Sequence, residues 1–155
     1  MVDLIIPCWN NFWITIQCLE YIQMNTSLDL IGRTIIIDDG STDKTIELEH
    51  IIPNTLKTLK GIVVHNHNNL GFGPSINRGI DIATNKYVCI FNNDILVGNN
   101  WLNILLYSIE KNEFAKVSGQ AISPPSMSLE YWECVHKDIK SEVVTDAILW
   151  GSEAC

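Results

Sequence analysis

Short apolar runs alternate with stretches of helical period along most of this chain. Leu4–Ile6 is stopped by Pro7 and the polar pair Asn10-Asn11, after which Phe12, Ile16, Leu19 and Tyr21-Ile22 recur at helical spacing up to about Met24. The β-branched run Thr34–Ile37 predicts a second strand. A helix capped by Ser41 or Thr42 follows it, with Thr45-Ile46, Leu48 and Ile51-Ile52 as its buried side. Gly61–His65 reads as a third strand, Pro74 to about Thr84 as a helix with proline in its first turn, and Tyr87–Phe91 as a fourth strand. Trp101, Leu102, Leu105, Leu106 and Ile109 mark a fourth helix, and Val117–Ile122 a fifth strand. Strands alternating with helices of this length predict an α/β fold with a mostly parallel sheet and right-handed crossovers. After Pro124-Pro125 the pattern weakens, and little is assigned there.

Polar punctuation at the strand ends carries the candidate chemistry. The fourth strand runs into Asn92-Asn93-Asp94, and the second into Asp38-Asp39-Gly40-Ser41-Thr42-Asp43. In open α/β sheets ligands bind at the carboxyl edge, and a carboxylate among amides can hold a hard divalent cation that shares its other positions with phosphate and water. Asp, Asn, Gly and Ser are also ordinary turn and cap residues, so it is the joint placement of the two clusters that points to a nucleotide and metal site.

A third signal is Asn68-Asn69-Leu70-Gly71-Phe72-Gly73-Pro74-Ser75-Ile76-Asn77-Arg78-Gly79. Gly71 and Gly73 permit positive φ or a close backbone approach, and a helix started by Pro74 can meet a phosphate or ribose. The third glycine of a dinucleotide fingerprint is missing, and the loop follows the third strand, which disfavours a nicotinamide-dependent oxidoreductase. His65 and His67 share a strand-end face that could bind metal, although histidines so placed are more often plain surface residues. Asn54 and Asn66 receive no functional reading.

Composition narrows the partners. With 155 residues the chain fits one domain, and no apolar run approaches the roughly 18 residues needed to span a bilayer. The formal charge of −8 and the scattered basic residues argue against a nucleic-acid partner. An anionic ligand would then need a metal or backbone N–H groups to offset repulsion. Five cysteines without Cys-x-x-Cys spacing indicate neither zinc nor a disulfide framework, which suggests reduced, cytoplasmic thiols. Met1 leads directly into Val2-Asp3-Leu4-Ile5-Ile6-Pro7, which speaks against a secretory signal and makes the Asn25-Thr26-Ser27 sequon irrelevant.

Taken in order, Ile5-Ile6-Pro7-Cys8-Trp9-Asn10, Asp38-Asp39-Gly40-Ser41-Thr42-Asp43, Asn69-x-Gly71-x-Gly73-Pro74-x-x-Asn77-x-Gly79, and Phe91-Asn92-Asn93-Asp94 with Trp101-Leu102 resemble the motifs of family 2 glycosyltransferases of GT-A fold. The rhamnosyltransferase-like members are the nearest pattern. The motifs span about Val2 to Leu106. The resemblance implies one nucleotide-sugar-binding domain over 1–155, well matched to about residue 122, with 123–155 beginning an acceptor-side region.

The resemblance also implies roles. Pro7, Trp9 and Asn10 would border base and ribose, Asp38 would contact the nucleoside and Asp39 would shape the same pocket. Gly71 and Asn77 belong to the donor loop. Asn92, Asn93 and Asp94 stand where the family has Asp-x-Asp, with Asp94 binding the divalent cation, Mg2+ or Mn2+, that bridges the diphosphate. Asn92 in place of Asp still allows a ribose hydrogen bond but lowers the local negative charge.

The implied reaction is transfer of a sugar from a UDP, dTDP or GDP donor to a saccharide or lipid-linked saccharide hydroxyl. Such an enzyme would be inverting, would serve cell-surface polysaccharide synthesis, and would work in the cytoplasm or at the cytoplasmic face of the membrane. Its general base is expected beyond Cys155, so the isolated chain is expected to bind donor but turn over slowly. Glu133, Asp138, Asp146 and Glu153 are assigned no catalytic role. Tyr131 and Trp132 could stack on an acceptor sugar or serve a core or interface. A homodimer is open. The competing expectation is a non-catalytic nucleotide-binding or interaction module that keeps the fold without the base.

Overall fold

Every residue of β1 (Val2–Cys8) is buried, as a strand flanked on both sides and covered on both faces requires. A computed structural model describes residues 1–55, 57–112, 116–118 and 148–151. Within them the chain runs β1, α1 (Phe12–Asn25), β2 (Ile31–Asp38), α2 (Leu48–Thr55), β3 (Gly61–His65), α3 (Phe72–Ile82), β4 (Tyr87–Ile90), α4 (Trp101–Asn112), β5 (Lys116–Ser118) and β6 (Ile148–Gly151).

These strands form one sheet in the order β3-β2-β1-β4-β6-β5. The first four pair in parallel, and β6 runs antiparallel to both β4 and β5. The chain steps outward from β1 through β2 to β3, then returns to place β4 on the other side of β1. The strand order therefore reverses at β1, and it is at the carboxyl edge of such a switch point that open α/β sheets bind ligands. Register sets Cys8 opposite Asp38 and Asp38 opposite His65, so the ends of three adjacent strands stand level.

Asp3 is the polar exception inside β1. It is fully buried, and its Oδ2 accepts from the amides of Thr84 (2.7 Å) and Asn85 (3.0 Å) while Oδ1 accepts from Asn85 Nδ2 (2.7 Å). Those donors replace the water it gives up and fix the link from α3 into β4.

The helices cover the sheet through periodic faces. Phe12, Thr15, Cys18, Leu19 and Ile22 are the buried side of α1, and Trp101, Leu102, Leu105 and Ile109 that of α4. Trp101 is wholly buried; its ring meets Phe91 edge-on at 4.8 Å and its Nε1 donates to Thr26 Oγ1 at 2.7 Å. On α3, a methyl group added at Gly79 would come within 2.4 Å of Ile5 Cγ2, so the glycine lets that helix sit close to the sheet.

Several expectations need correction. Neither Ser41 nor Thr42 caps the second crossover. Asp43 does, accepting the Thr45 amide at 2.9 Å, and a 3-10 turn, Lys44–Glu47, precedes α2. That turn leaves Ile46 exposed while Thr45, Leu48 and Ile52 are buried. Helix α3 starts at Phe72, ahead of Pro74, whose missing N–H costs nothing among the first four amides of a helix. Strand β6 was not anticipated. The predicted strand 117–122 is seen as Lys116–Ser118, its remainder lying outside the described residues.

Candidate functional site

The loop leaving β1 is bound to the loop leaving β2. Asn10 and Asn11 both take left-handed backbone conformations, which Asn tolerates better than most residues. The Asn10 amide donates to Ser41 Oγ (2.7 Å), and Asn10 Oδ1 accepts from the Thr42 amide (2.8 Å). Asp43 Oδ2 accepts from the Phe12 amide at 3.2 Å, which serves the start of α1 in place of a side-chain cap from Asn11. Pro7 is buried, whereas Trp9 stands out at 54% exposure above this junction.

Asp38 and Asp39 are adjacent and turn to different partners. Asp38 is 2% exposed; its Oδ1 accepts from the Ser41 amide (3.0 Å) and its Oδ2 lies 2.7 Å from His65 Nδ1. Asp39 is 5% exposed and reaches the glycine loop. Its Oδ1 accepts from Asn66 Nδ2 (2.7 Å) and the Leu70 amide (2.9 Å), and its Oδ2 from the Gly71 amide (2.8 Å). Burial alone would raise the Asp39 carboxyl, but the donors from Leu70, Asn66, Gly71 and Ser75 outweigh it and hold the group below the usual carboxylate range.

Gly40 is required beside them. Its φ is +74°, and a methyl group there would lie 2.6 Å from the Asn68 carbonyl carbon. By contrast, a methyl group on Gly71 or Gly73 would meet nothing within 4 Å. Gly71 has a φ of +91°, as the sequence anticipated; Gly73 has neither a positive φ nor a close neighbour and faces open space. Asn77 is exposed on α3.

The Asn92-Asn93-Asp94 turn lies on the same edge, beyond β4, and is seated on α1. Asn93 Nδ2 donates to the buried Thr15 Oγ1 (2.9 Å), and Cys18 Sγ to the Asn92 carbonyl (3.8 Å). Burial and the nearby Asp94 charge, against a hydrogen bond from Ile95, push the Cys18 thiol up to about 12, so it is an inert neutral group here. Asp94 itself is exposed on the turn. Among the described residues no cluster of three or more His, Cys, Asp or Glu could enclose a metal. Asp94 is thus a single exposed carboxylate that follows two asparagines in sequence, a hard oxygen donor of the type Mg2+ or Mn2+ accepts when phosphate and water complete the coordination.

The structure thus links Asn10, Asp38, Asp39 and Gly71 directly through their loops and places Asn92–Asp94 on the same edge. Glu133, Asp138, Asp146, Glu153, Tyr131 and Trp132 lie outside the described residues.

Asn66 was passed over and is central. It is buried between Asp39 and Ser75 Oγ (3.1 Å), and Arg78 donates both to its Oδ1 and to the His65 carbonyl (2.8 Å). His65 is likewise no plain surface residue, since it is half-buried against Asp38. Its position next to a predicted strand end was the available signal, but the register that pairs it with Asp38 is a tertiary fact.

Comparison with known proteins identifies the family and the fold. The profile described as Glycosyl transferase family 2 matches residues 3–149. "Glycosyltransferase GlyG" of Streptococcus pneumoniae is 25% identical over 119 residues, 77% of this chain and 38% of that protein. The chain therefore spans well under half of that curated relative. Among solved structures, the mannosyltransferase PcManGT of Pyrobaculum calidifontis, in complex with GDP-Man and Mn2+, superposes with a TM-score of 0.76 at 19% identity over 98% of this chain and 44% of its own. S. aureus TarS 1-349, in complex with UDP-GlcNAc, gives 0.70 at 17% identity over 83% of this chain and 36% of its own.

Proposed function

This chain belongs to glycosyl transferase family 2 and has the GT-A form of the Rossmann-like α/β fold, and from that premise we propose that it is the donor-binding part of an enzyme that moves a sugar from a nucleoside diphosphate to an acceptor hydroxyl. The observation that carries this reading is the hydrogen-bonded continuity from Asn10 through Ser41, Asp38 and Asp39 to Gly71, built around the point where the strand order reverses. In it Pro7, Trp9 and Asn10 border the nucleoside and Asp38 accepts from it. Asp39 holds the Leu70–Gly71 backbone in place, leaving open space over Gly71 and Gly73 for the diphosphate, with Asn77 beside it.

A chain of net charge −8 must overcome its own repulsion toward that ligand. Asp94 is the residue that would hold Mg2+ or Mn2+, with Asn92 and Asn93 shaping the turn, and GDP-Man with Mn2+ in PcManGT supports the pairing of nucleotide and cation. What the bound cation supplies is positive charge against the departing diphosphate. An inverting transfer also needs a general base at the acceptor hydroxyl. No described residue is given that role.

The finer reading is rhamnosyl-type transfer in cell-surface polysaccharide synthesis at the cytoplasmic face of the membrane. The acceptor would be a saccharide or lipid-linked saccharide, and 1–155 one donor-binding domain. Among the described residues no helix is long and apolar enough to cross a membrane.

Thermal melts test the core of the proposal. A ligand that binds only the folded state raises its stability by mass action. UDP, dTDP or GDP at millimolar concentration should therefore raise Tm, more with MnCl2 or MgCl2 than with chelator. Absence of a shift with all three refutes donor binding.

A further inference from the structure

The ring of His65 sits between two carboxylates on adjacent elements. Its Nδ1 is 2.7 Å from Asp38 Oδ2, and its Nε2 is 3.7 Å from Glu49 Oε2, a carboxylate that also lies 3.4 Å from His50 Nε2 through its other oxygen. A carboxylate offers only lone pairs, so the short contact places a proton on Nδ1 and makes the ring a donor to Asp38. The main chain that carries the ring is held on both sides of the residue. The His65 carbonyl accepts from Arg78 Nη1 (2.8 Å), and the next amide, of Asn66, donates to the Asp38 carbonyl (2.8 Å).

An aspartate carboxylate turns easily about its last torsion, where the energy wells are broad. The Ser41 amide anchors one oxygen of Asp38; His65 anchors the other. With both anchored, the lone pairs that remain point in fixed directions. We propose that His65 is a positioning residue of the donor site, fixing through Nδ1 the rotation of the Asp38 carboxylate and hence the direction in which it accepts from the nucleoside. This rests on the donor-site reading given above. The Asp94 turn is held by Thr15 and Cys18 instead, so the effect of His65 is independent of the cation.

The two ring nitrogens can be separated by amide substitutions. In His65→Asn the side-chain nitrogen is attached to Cγ, as Nδ1 is, whereas in His65→Gln it falls near the place of Nε2. Dissociation constants for UDP, dTDP and GDP are measured by calorimetry on the 155-residue chain and the two variants, together with His65→Ala, with MnCl2 and with chelator. For whichever nucleotide the unsubstituted chain binds, His65→Ala and His65→Gln should weaken binding about tenfold, equally with and without metal, as for loss of a hydrogen bond to a charged group. His65→Asn should restore affinity to within about threefold, a contrast that loss of stability alone would not produce.

Unchanged affinity in His65→Ala, or rescue by Gln rather than Asn, overturns the proposal; so does equal weakening by all three. If His65→Ala does not fold, the Asn and Gln pair decides on the same terms. Failure of the unsubstituted chain to bind any of the three nucleotides is a different result: it refutes the donor site itself and this proposal with it.

Discussion

Asn66 Nδ2 donates to Asp39 Oδ1 across 2.7 Å with both side chains all but excluded from water, which joins the end of β3 to the end of β2 beneath the glycine loop. A buried amide and a buried carboxylate so joined are costly to separate, because whichever partner remains has lost its solvent as well.

Asn66→Ala should therefore destabilise the fold by about 1–3 kcal/mol, the range for leaving buried polar groups unpaired. Urea unfolding measures it. The glycine loop should loosen at the same time, which faster amide hydrogen exchange at Leu70 and Gly71 would register. Asn66→Asp, which sets a second carboxylate against Asp39, should cost more than the alanine variant.

Asp94 and Asp38 should separate in binding experiments. With Asp94→Asn, nucleotide affinity in MnCl2 should fall to the value measured with chelator, and the fold should be unaffected because Asp94 is exposed on its turn. Asp38→Asn should weaken nucleotide binding roughly tenfold, about 1.4 kcal/mol, whether or not metal is present. Identical behaviour of the two variants would mean that turn residues have been mistaken for ligands.

Two glycines should respond in opposite ways. Gly40→Ala forces a side chain into positive φ against the Asn68 backbone and should cost about 1–3 kcal/mol of stability by urea unfolding. Gly73→Ala adds a methyl group in open space within α3 and should leave stability unchanged or raise it by about 0.5–1 kcal/mol. If the diphosphate approaches over Gly73, that same stable variant should nonetheless bind nucleotide less tightly. Unaltered binding would remove this residue from the site.

Acid should weaken the fold through Asp39 and Asp43. For both, burial opposes ionisation and hydrogen-bond donors prevail: Leu70, Asn66, Gly71 and Ser75 for Asp39; Thr45, Phe12 and Asn11 for Asp43. Their folded values lie below the unfolded carboxylate value of about 3.9. Their stabilisation is accordingly complete above that value and is lost as pH falls through the lower, folded one. Urea midpoints measured downward from about pH 6 should drop in that acid window. Asp39→Asn should be less stable at neutral pH and show a shallower acid decline.

The sequence exposed the alternation of strands and helices because buried parallel strands read as continuous apolar runs, as in Leu4–Ile6 and Thr34–Ile37. It exposed the acidic and glycine-rich strand ends for a similar local reason, since turns and close approaches restrict residue type. What it withheld depends on partners distant in the chain. Asp3 is matched by donors at Thr84 and Asn85, Asn66 by Asp39, and Thr15 by Asn93. No local pattern marks such pairs. Asp43, and not Ser41 or Thr42, is the cap because the turn begins one residue later than the sequence suggested, at Lys44, which puts Asp43 Oδ1 within reach of the Thr45 amide. Strand β6 escaped because Ile148–Gly151 follows a stretch without periodicity, and its antiparallel direction is set by pairing with β4 and β5.

Asp43 answers to two segments at once, giving one oxygen to the amide of Phe12 and the other to that of Thr45. An insertion or deletion between Cys8 and Phe12 would drag the second crossover with it, and a change of length between Asp38 and Asp43 would do the same to the start of α1. Among descendants of such a protein, these two loops should change length only in concert, and the glycine loop, bound to the same β2 loop through Asp39, should be held to that register as well.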